Sequence, residues 1–274
     1  MTTPVVFVHG AFCGGWAFDS FRQPFESLGL ATHAPDLPGH ARGADMERLA
    51  AFGVQDYADA VVRVAQGLPR PPVLIGHSLG GLIAQMAAMQ VECAGLILLA
   101  PSAPWGVMPT TLDEHANWLG VSLLGDYWRR PIPPDYQTAR RTTLDRLSRE
   151  EARRAFANFV PESGRVVFET VQWWLDHAMH SAAPANKIAC PMLAIAGGKD
   201  YVNPATTVRR IINRFPGAQA DFYEFREMSH WLVGEPEWPE VARLCIEWMA
   251  RRDLLPAPGA AAPRRKSAAS APSA

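Results

Sequence analysis

The stretch that decides the fold is Val73-Leu74-Ile75-Gly76-His77-Ser78-Leu79-Gly80, followed at 82–89 by Leu-Ile-Ala-Gln-Met-Ala-Ala-Met. It reads as a short apolar strand, the pattern G-x-S-x-G and a helix. A serine between such a strand and such a helix lies on a sharp turn that requires small neighbours, and its hydroxyl points away from the sheet edge. We therefore expect Ser78 to be a nucleophile, with an ordinary helix-capping serine as the alternative.

Short apolar runs alternate with longer amphipathic runs along most of the chain. The short runs predict strands at 5–8, 30–34, 73–75, 96–99, 192–196 and 220–225. The longer runs predict helices at 16–28, 54–67, 79–89, 204–215 and 239–251. Strands that alternate with helices indicate an α/β fold, in which a mostly parallel six-stranded sheet carries helices on both faces.

The region 103–186 interrupts this alternation, because it contains several prolines and tryptophans and no convincing strand. We interpret it as a helical cap inserted into an α/β core formed by residues 1–102 and 187–255. Its tryptophans could line a pocket or could pack the interior of the cap itself. Residues 256–274 are rich in Ala, Pro and Ser and contain no aromatic residue, so we expect a disordered tail.

The nucleophile needs two partners elsewhere in the chain. A serine hydroxyl is poorly reactive near neutral pH unless a base lies within hydrogen-bond reach and an acid orients that base. Asp200 follows a strand-like run that ends in a glycine turn, and His230 follows the strand predicted at 220–225. This order predicts that Asp200 is the orienting acid and His230 the general base. The alternatives are that Asp200 caps the helix near Pro204 and that His230 is a surface loop residue.

The negative oxygen of a tetrahedral intermediate needs N–H donors that are already in position. We expect one of them to be the backbone N–H of Leu79, directly after the nucleophile. The other is expected from Ala11, in the loop after the first strand, where Gly10 lets the backbone turn; a plain glycine-rich turn is the alternative. Aromatic residues are expected to line the substrate pocket, namely Phe12, Trp105, Trp128, Trp174 and Trp231.

The amino-acid composition indicates which classes of protein are expected. Hydrophobic residues make up 48% of the 274 residues and charged residues 19%, as in an ordinary soluble enzyme, and the net charge of −1 gives no reason to expect nucleic acid or an anionic membrane as a partner. No apolar run approaches the roughly 18 residues of a membrane span and the first residues do not resemble a secretion signal, so we expect a cytoplasmic protein. Composition leaves the oligomeric state open.

We expect neither a metal nor a cofactor. The four cysteines lie far apart, without the C-x-x-C pairs of zinc or redox sites. The spacing His177-x-x-His180 beside Asp176 could bind a metal, but exposed residues of the cap are the more ordinary interpretation.

Taken together, the motifs resemble those of the α/β-hydrolase superfamily. The matching motifs are His9-Gly10 with Trp16, Asp36-Leu37-Pro38-Gly39-His40, Gly76 to Gly81, Gly197-Gly198-Lys199-Asp200 and Ser229-His230. They occur in the family's order and approximate spacing, over about residues 4–250. The resemblance implies the α/β-hydrolase fold, with a six-stranded parallel core and a cap.

Single positions suggest a branch of that superfamily. Ser78 stands where the dehalogenase and epoxide hydrolase branches place aspartate. His9-Gly10-Ala11 resembles the methylesterase and hydroxynitrile lyase branch, but the lyases carry a threonine in this loop and a lysine where this chain has Trp231. The pair His230-Trp231 is also similar to that of the C–C bond hydrolases that cleave vinylogous diketones.

These observations favour a serine hydrolase that cleaves small or medium carboxylic esters through an acyl-enzyme. The alternatives on the same three residues are C–C bond hydrolysis and perhydrolysis. A further alternative is a ligand-binding homologue without catalytic activity.

Overall fold

The computed structural model describes residues 2–112, 114–116, 120, 125–217 and 219–256. The predicted disordered tail, apart from Pro256, lies outside the described residues. Within them, the strands in chain order are β1 (Val5–Val8), β2 (Thr32–His33), β3 (Val73–His77), β4 (Gly95–Leu99), β5 (Pro131–Ile132), β6 (Glu162–Ser163), β7 (Met192–Gly197) and β8 (Ala220–Phe225).

The helices that are described over their full length are α1 (Gln23–Ser27), α2 (Met46–Ala51), α3 (Val54–Gln66), α4 (Leu79–Ala88), α5 (Tyr136–Thr142), α6 (Arg149–Phe156), α7 (Gly164–Val171), α8 (Ala205–Ile212) and α9 (Trp238–Ala250). Short 3₁₀ helices lie at Gly15–Phe18, Tyr127–Arg129, Trp173–Leu175 and Ala185–Lys187. Among the described residues, none of the helices has the length and apolar character that crossing a bilayer requires.

Six strands form one sheet in the order β2-β1-β3-β4-β7-β8, and neighbouring strands run parallel. The predicted α/β class and six-stranded parallel sheet are thus confirmed. The strand order matters for the site, because the carboxyl ends of parallel strands meet at one edge of the sheet. The loops after β1, β3, β7 and β8 therefore meet at that edge.

The sheet is covered on both faces, as all-parallel sheets generally are. Alternate residues of a strand point to opposite faces, and β1 follows this rule. Val5 and Phe7 belong to a core with α1 and α9, whereas Val6 and Val8 belong to a core with α3, α4 and α8. Every residue of α4 is buried, so the helix that follows Ser78 is held on all sides.

Three local expectations differ from the structure. The predicted helix at 16–28 is divided, because Pro24 has no N–H to continue a helix and instead occupies the first turn of a new one, α1. The predicted strand at 30–34 pairs only over β2, at the sheet edge. The helix α2 was not predicted from the sequence, although Asp45 caps it by accepting a hydrogen bond from Glu47 N at 2.8 Å.

Residues 103–186, between β4 and β7, contain α5, α6 and α7. They also contain a two-stranded antiparallel sheet, β5 with β6, in which Ile132 pairs with Glu162. Its strands are two residues long, which is too short for the alternation by which strands are recognised in a sequence.

The turn between β3 and α4 places Ser78 at φ +55° and ψ −123°, a conformation that L-residues rarely adopt. Ser78 N donates to Leu99 O at 2.9 Å and Ser102 N donates to Ser78 O at 2.9 Å, so both ends of the residue are tied to the end of β4. The turn also depends on close backbone contact, since a Cβ at Gly76 would overlap the Gly80 carbonyl and a Cβ at Gly80 would overlap the Val8 carbonyl.

We predict that Gly80→Ala destabilises the protein by about 3 kcal/mol or more, because its methyl group must displace the backbone of β1. The measurement is the free energy of unfolding in urea. Gly217→Ala is the matched control, since a Cβ there meets no atom within 4 Å. Equal stability of the two variants would contradict the close packing described here.

Candidate active site

Three predicted residues form a continuous hydrogen-bonded chain at the carboxyl edge of the sheet. His230 Nε2 lies 2.9 Å from Ser78 Oγ, and His230 Nδ1 lies 2.8 Å from Asp200 Oδ2. All three side chains are buried, with Ser78 8% exposed. Because an ionised carboxylate only accepts, His230 donates from Nδ1, and its Nε2 is free to accept the Ser78 proton.

The second oxygen of Asp200 is held by the backbone that leads to α8. Asp200 Oδ1 accepts from Val202 N at 2.7 Å and from Asn203 N at 2.9 Å. Asp200 does not cap α8, since the N-cap position of that helix is Pro204 and no side chain caps it; one Asp200 oxygen holds the preceding turn and the other holds His230. The Asn203 side chain donates to Ala100 O at 2.8 Å, which ties this turn to the end of β4.

The side chain of His77 binds the backbone of His230. Its Nε2 donates to the carbonyl oxygen of His230 at 2.8 Å, and the two rings lie 5.1 Å apart. Burial, with a smaller contribution from His230, lowers the pKa of His77 to about 3. His77 is therefore a neutral structural residue.

The loop after β1 lies against the serine. A Cβ at Gly10 would stand 3.1 Å from Ser78 Cβ, which brings the backbone of this loop next to Ser78. His9 Nε2 accepts from Leu37 N and its Nδ1 donates to Gly10 O, both at 2.9 Å, and burial lowers the pKa of His9 to about 3. A neutral His9 thus fixes the start of the loop.

Both predicted N–H donors border the cavities next to Ser78. Leu79 is the first residue of α4, so its N–H has no acceptor within the helix. Within the described part of the chain, no hydrogen bond is recorded from Ala11 N–H. The structure thus brings Ala11, Leu79 and Ser78 together.

The buried carboxylate of Glu162, in the segment 103–186, binds the backbone of the same loop. Glu162 is fully buried and accepts four hydrogen bonds: from Tyr57 OH and Ser163 N at 2.7 Å, from His40 Nε2 at 3.0 Å and from Phe12 N at 3.3 Å. The Phe12 backbone has φ +62°, so this bond supports a conformation that is costly for a side-chain-bearing residue.

Glu162 and His40 form a charged pair. Burial alone would raise the pKa of Glu162, but His40 and the hydrogen bonds outweigh it and hold the pKa below its usual value. Burial likewise opposes protonation of His40, but Glu162 raises its pKa above the usual value. Both ring nitrogens of His40 face oxygen atoms, Glu162 Oε2 and Pro38 O, as a protonated imidazole requires.

A second buried carboxylate holds the histidine loop. Glu235 accepts from Ser229 N at 3.0 Å and from Trp231 N at 3.0 Å, the residues on either side of His230. Burial raises the pKa of Glu235 to about 7, even though these N–H groups and Arg146, 3.4 Å away, favour the ionised form.

Two cavities border Ser78. The first cavity has a volume of about 600 Å³ and is bordered by His230 and Trp231. The second cavity has a volume of about 540 Å³ and is bordered by Leu79. Phe12 borders both of them, so Phe12 and Trp231 are the predicted pocket residues that the structure places at a cavity next to Ser78.

The other predicted pocket residues border neither cavity within the described part of the chain. Trp105 packs edge-on against Trp173 and donates from Nε1 to Asp176 O at 3.2 Å. Trp128 and Trp174 are more than a third exposed. These three tryptophans pack the cap segment itself, which is the other role considered for them, and Trp173 is the tryptophan that borders the second cavity.

Sequence reasoning missed Glu162, His40, Glu235 and Trp173. His40 was recognised only as part of a motif. Glu235 lies five residues after His230, but nothing in the sequence shows that its side chain turns back to the loop. Glu162 lies 122 residues from His40, and only the tertiary fold brings them together.

We predict that Glu235 makes stability fall as the pH rises. Its pKa of about 7 in the folded protein exceeds the ordinary value of 4.5, so between these values the folded state holds the proton more tightly than the unfolded chain. Glu235→Gln removes this titration. From pH 4.5 to 8, the wild type should lose up to about 3 kcal/mol relative to the variant, as measured by urea unfolding.

Glu92→Gln is the control, since Glu92 is exposed and lies away from the site. It should follow the pH dependence of the wild type. If Glu235→Gln did so as well, burial would not have shifted the pKa of Glu235.

Comparison of the sequence with known proteins identifies the family. A sequence model of the Alpha/beta hydrolase family matches residues 5–244. The pyrethroid hydrolase of Sphingobium wenxiniae is 29% identical over 231 residues, which cover 80% of this chain and 78% of that protein. The caffeoylshikimate esterase of Arabidopsis thaliana is 26% identical over 235 residues, which cover 81% of this chain and 69% of that protein.

The fold is also that of a known structure. The crystal structure of an Arabidopsis methylesterase superposes with a TM-score of 0.71 at 17% identity, covering 91% of this chain and all of that one. This similarity concerns the fold, whereas the family match concerns the sequence over most of its length. The chain belongs to the alpha/beta hydrolase family.

Proposed function

We propose that the protein hydrolyses carboxylic esters through an acyl-enzyme formed on Ser78. The observation that carries the proposal is the continuous hydrogen-bonded chain from Ser78 Oγ through His230 to Asp200. The names of its relatives, which are hydrolases and esterases, support ester hydrolysis as the reaction.

The acylation step follows from the hydrogen bonds. Ser78 Oγ attacks the ester carbonyl carbon while His230 Nε2 accepts the hydroxyl proton. Asp200 keeps the other ring nitrogen protonated and stabilises the imidazolium that forms. The N–H groups of Ala11 and Leu79 are the donors for the carbonyl oxygen as it becomes negative, and each such donor contributes about 3–4 kcal/mol in comparable sites.

The same groups complete the reaction. His230 returns its proton to the leaving alkoxide, which departs as the alcohol and leaves the acyl group on Ser78. A water molecule then gives a proton to His230 and attacks the acyl carbon. The acid leaves when His230 protonates Ser78 Oγ, which restores the starting state.

A substrate panel separates this proposal from the alternatives. Simple esters test for ester hydrolysis, and a vinylogous diketone tests for C–C bond hydrolysis. Hydrogen peroxide together with acetate tests for perhydrolysis. A fluorophosphonate probe tests for a binding protein without activity, because only an activated serine is phosphonylated.

We predict that Ser78→Ala abolishes fluorophosphonate labelling and that His230→Ala lowers kcat on p-nitrophenyl butyrate by at least about 10⁴-fold. The physical reason is the loss of the nucleophile in one variant and of its base in the other. Initial rates and gel fluorescence of the labelled protein provide the measurement.

His177→Ala is the matched histidine control, because His177 is exposed and has no part in this mechanism. It should keep the wild-type kcat. Full activity of Ser78→Ala would reject the nucleophile, and an inert, unlabelled wild type would reject the proposed function.

We also predict that Glu162→Gln lowers kcat by about 100-fold with little change in KM. The substitution weakens the hold on Phe12 N, so the neighbouring Ala11 N–H is misplaced when negative charge develops, and a displacement of 1 Å can cost this much. Steady-state kinetics on p-nitrophenyl butyrate measure both constants.

Glu169→Gln is the matched control. Glu169 is also a buried carboxylate that joins the cap segment to the core, because it accepts from Val54 N at 2.8 Å and from Arg165 Nε at 2.7 Å. It does not contact the Ala11 loop and should leave kcat unchanged. Equal effects of the two substitutions would show that Glu162 acts on stability alone.

A further inference from the structure

The two cavities meet at the nucleophile and share one wall. Seven residues border both of them: Ala11, Phe12, Ser78, Ile132, Thr138, Thr142 and Val202. A substrate whose ester bond lies at Ser78 can therefore extend into both cavities at once. Volumes of about 600 and 540 Å³ each fall within the range of pockets that enclose a drug-sized ligand.

The two cavities differ in the catalytic groups that border them. His230 borders only the first cavity, whereas Leu79 borders only the second. His230 must place a proton on the leaving alkoxide oxygen, so that oxygen has to lie on the His230 side of Ser78. The carbonyl oxygen accepts hydrogen bonds from the N–H donors of Ala11 and Leu79. The remaining substituent of the carbonyl carbon is the acyl chain, which is therefore directed away from His230, toward the second cavity.

We propose that the first cavity binds the alcohol part of the ester and the second cavity its acyl part. The substrates are then esters that carry a bulky apolar group on each side of the ester bond. This assignment rests on the proposed function and adds to it the substrate class and the orientation of the substrate.

The residues that line the two cavities are suited to apolar groups on both sides of the ester bond. Pro134, Phe159 and Trp231 border the first cavity, and the rings of Phe159 and Trp231 lie 6.2 Å apart. The second cavity is bordered by valines of α7 and by Trp173. Such surfaces gain free energy by covering apolar groups of a ligand and offer little to a charged one.

The carboxyl groups at the cavities accept hydrogen bonds from the protein itself, and Arg130, which borders the first cavity, is exposed. Glu114, at the second cavity, accepts from Thr207 Oγ1 at 2.8 Å and from Thr110 N at 2.7 Å. Asp135, at the first cavity, is exposed and caps α5 by accepting from Thr138 N at 2.7 Å. The first cavity therefore reaches solvent beside the start of α5.

One substitution in each cavity tests the assignment. Ala139→Phe adds a ring to the first cavity from α5, and Val167→Phe adds one to the second cavity from α7. Two substrate series separate their effects. The acyl series compares p-nitrophenyl octanoate with p-nitrophenyl acetate, and the alcohol series compares 2-naphthylmethyl butyrate with methyl butyrate.

We expect Val167→Phe to lower the octanoate-to-acetate ratio of kcat/KM by about tenfold or more and to change the alcohol ratio less than twofold. Ala139→Phe should do the reverse. The wild type should prefer the bulkier member of both series. Effects with the two cavities exchanged, or equal effects of both substitutions on both ratios, would overturn the assignment.

Deacylation supplies a second readout, because the acyl-enzyme no longer contains the alcohol. The rate constant for octanoyl-enzyme hydrolysis, measured from the burst with p-nitrophenyl octanoate, should change more in Val167→Phe than in Ala139→Phe. Variants that still react with a small fluorophosphonate are folded and catalytically competent. A wild type that fails to label or to hydrolyse any ester would reject the proposed function, whereas normal labelling with no preference for bulky esters would reject only this inference.

Discussion

The site depends on one constraint, the backbone conformation of Ser78. A non-glycine residue at φ +55° costs about 1–3 kcal/mol and persists only where the surroundings fix it. Here the end of β4 binds the residue through Leu99 and Ser102, and the absence of side chains at Gly76 and Gly80 lets β1, β3 and α4 approach one another closely. The packing of three strands and one helix thus fixes the conformation of this one residue.

The parallel sheet explains why the other groups are in reach. The loop with Ala11 follows β1, Ser78 follows β3, Asp200 follows β7 and His230 follows β8, and these strands end at the same edge. Residues separated by 152 positions in the chain therefore come within 2.9 Å. The sheet provides the approximate positions, and buried carboxylates provide the final ones: Glu235 holds the loop of the histidine and Glu162 the loop after β1.

The parts of this structure that the sequence predicted have local causes. The strands, the serine turn and the order of Ser78, Asp200 and His230 are each visible in short stretches, because glycine, strand-like runs and chain order constrain them directly. The positions of the tryptophans of the cap segment were harder to predict, since whether such a residue faces a cavity depends on how short helices pack. Trp173 is buried and Trp174 is exposed, although they are neighbours in the chain. Glu162 had no local signal, because its partners come from distant parts of the chain.

The position of Glu162 on β6 has a consequence for how the protein handles its ligands. Lifting this strand from the core would take three donors, Tyr57 OH, His40 Nε2 and Phe12 N, from a buried carboxylate and leave the charge of His40 without its counterion, at a cost of several kcal/mol. The part of the second cavity's wall that Glu162 forms is therefore held firmly against the core. The first cavity borders solvent beside the exposed Asp135, so a ligand can reach Ser78 from that side without any movement of β6.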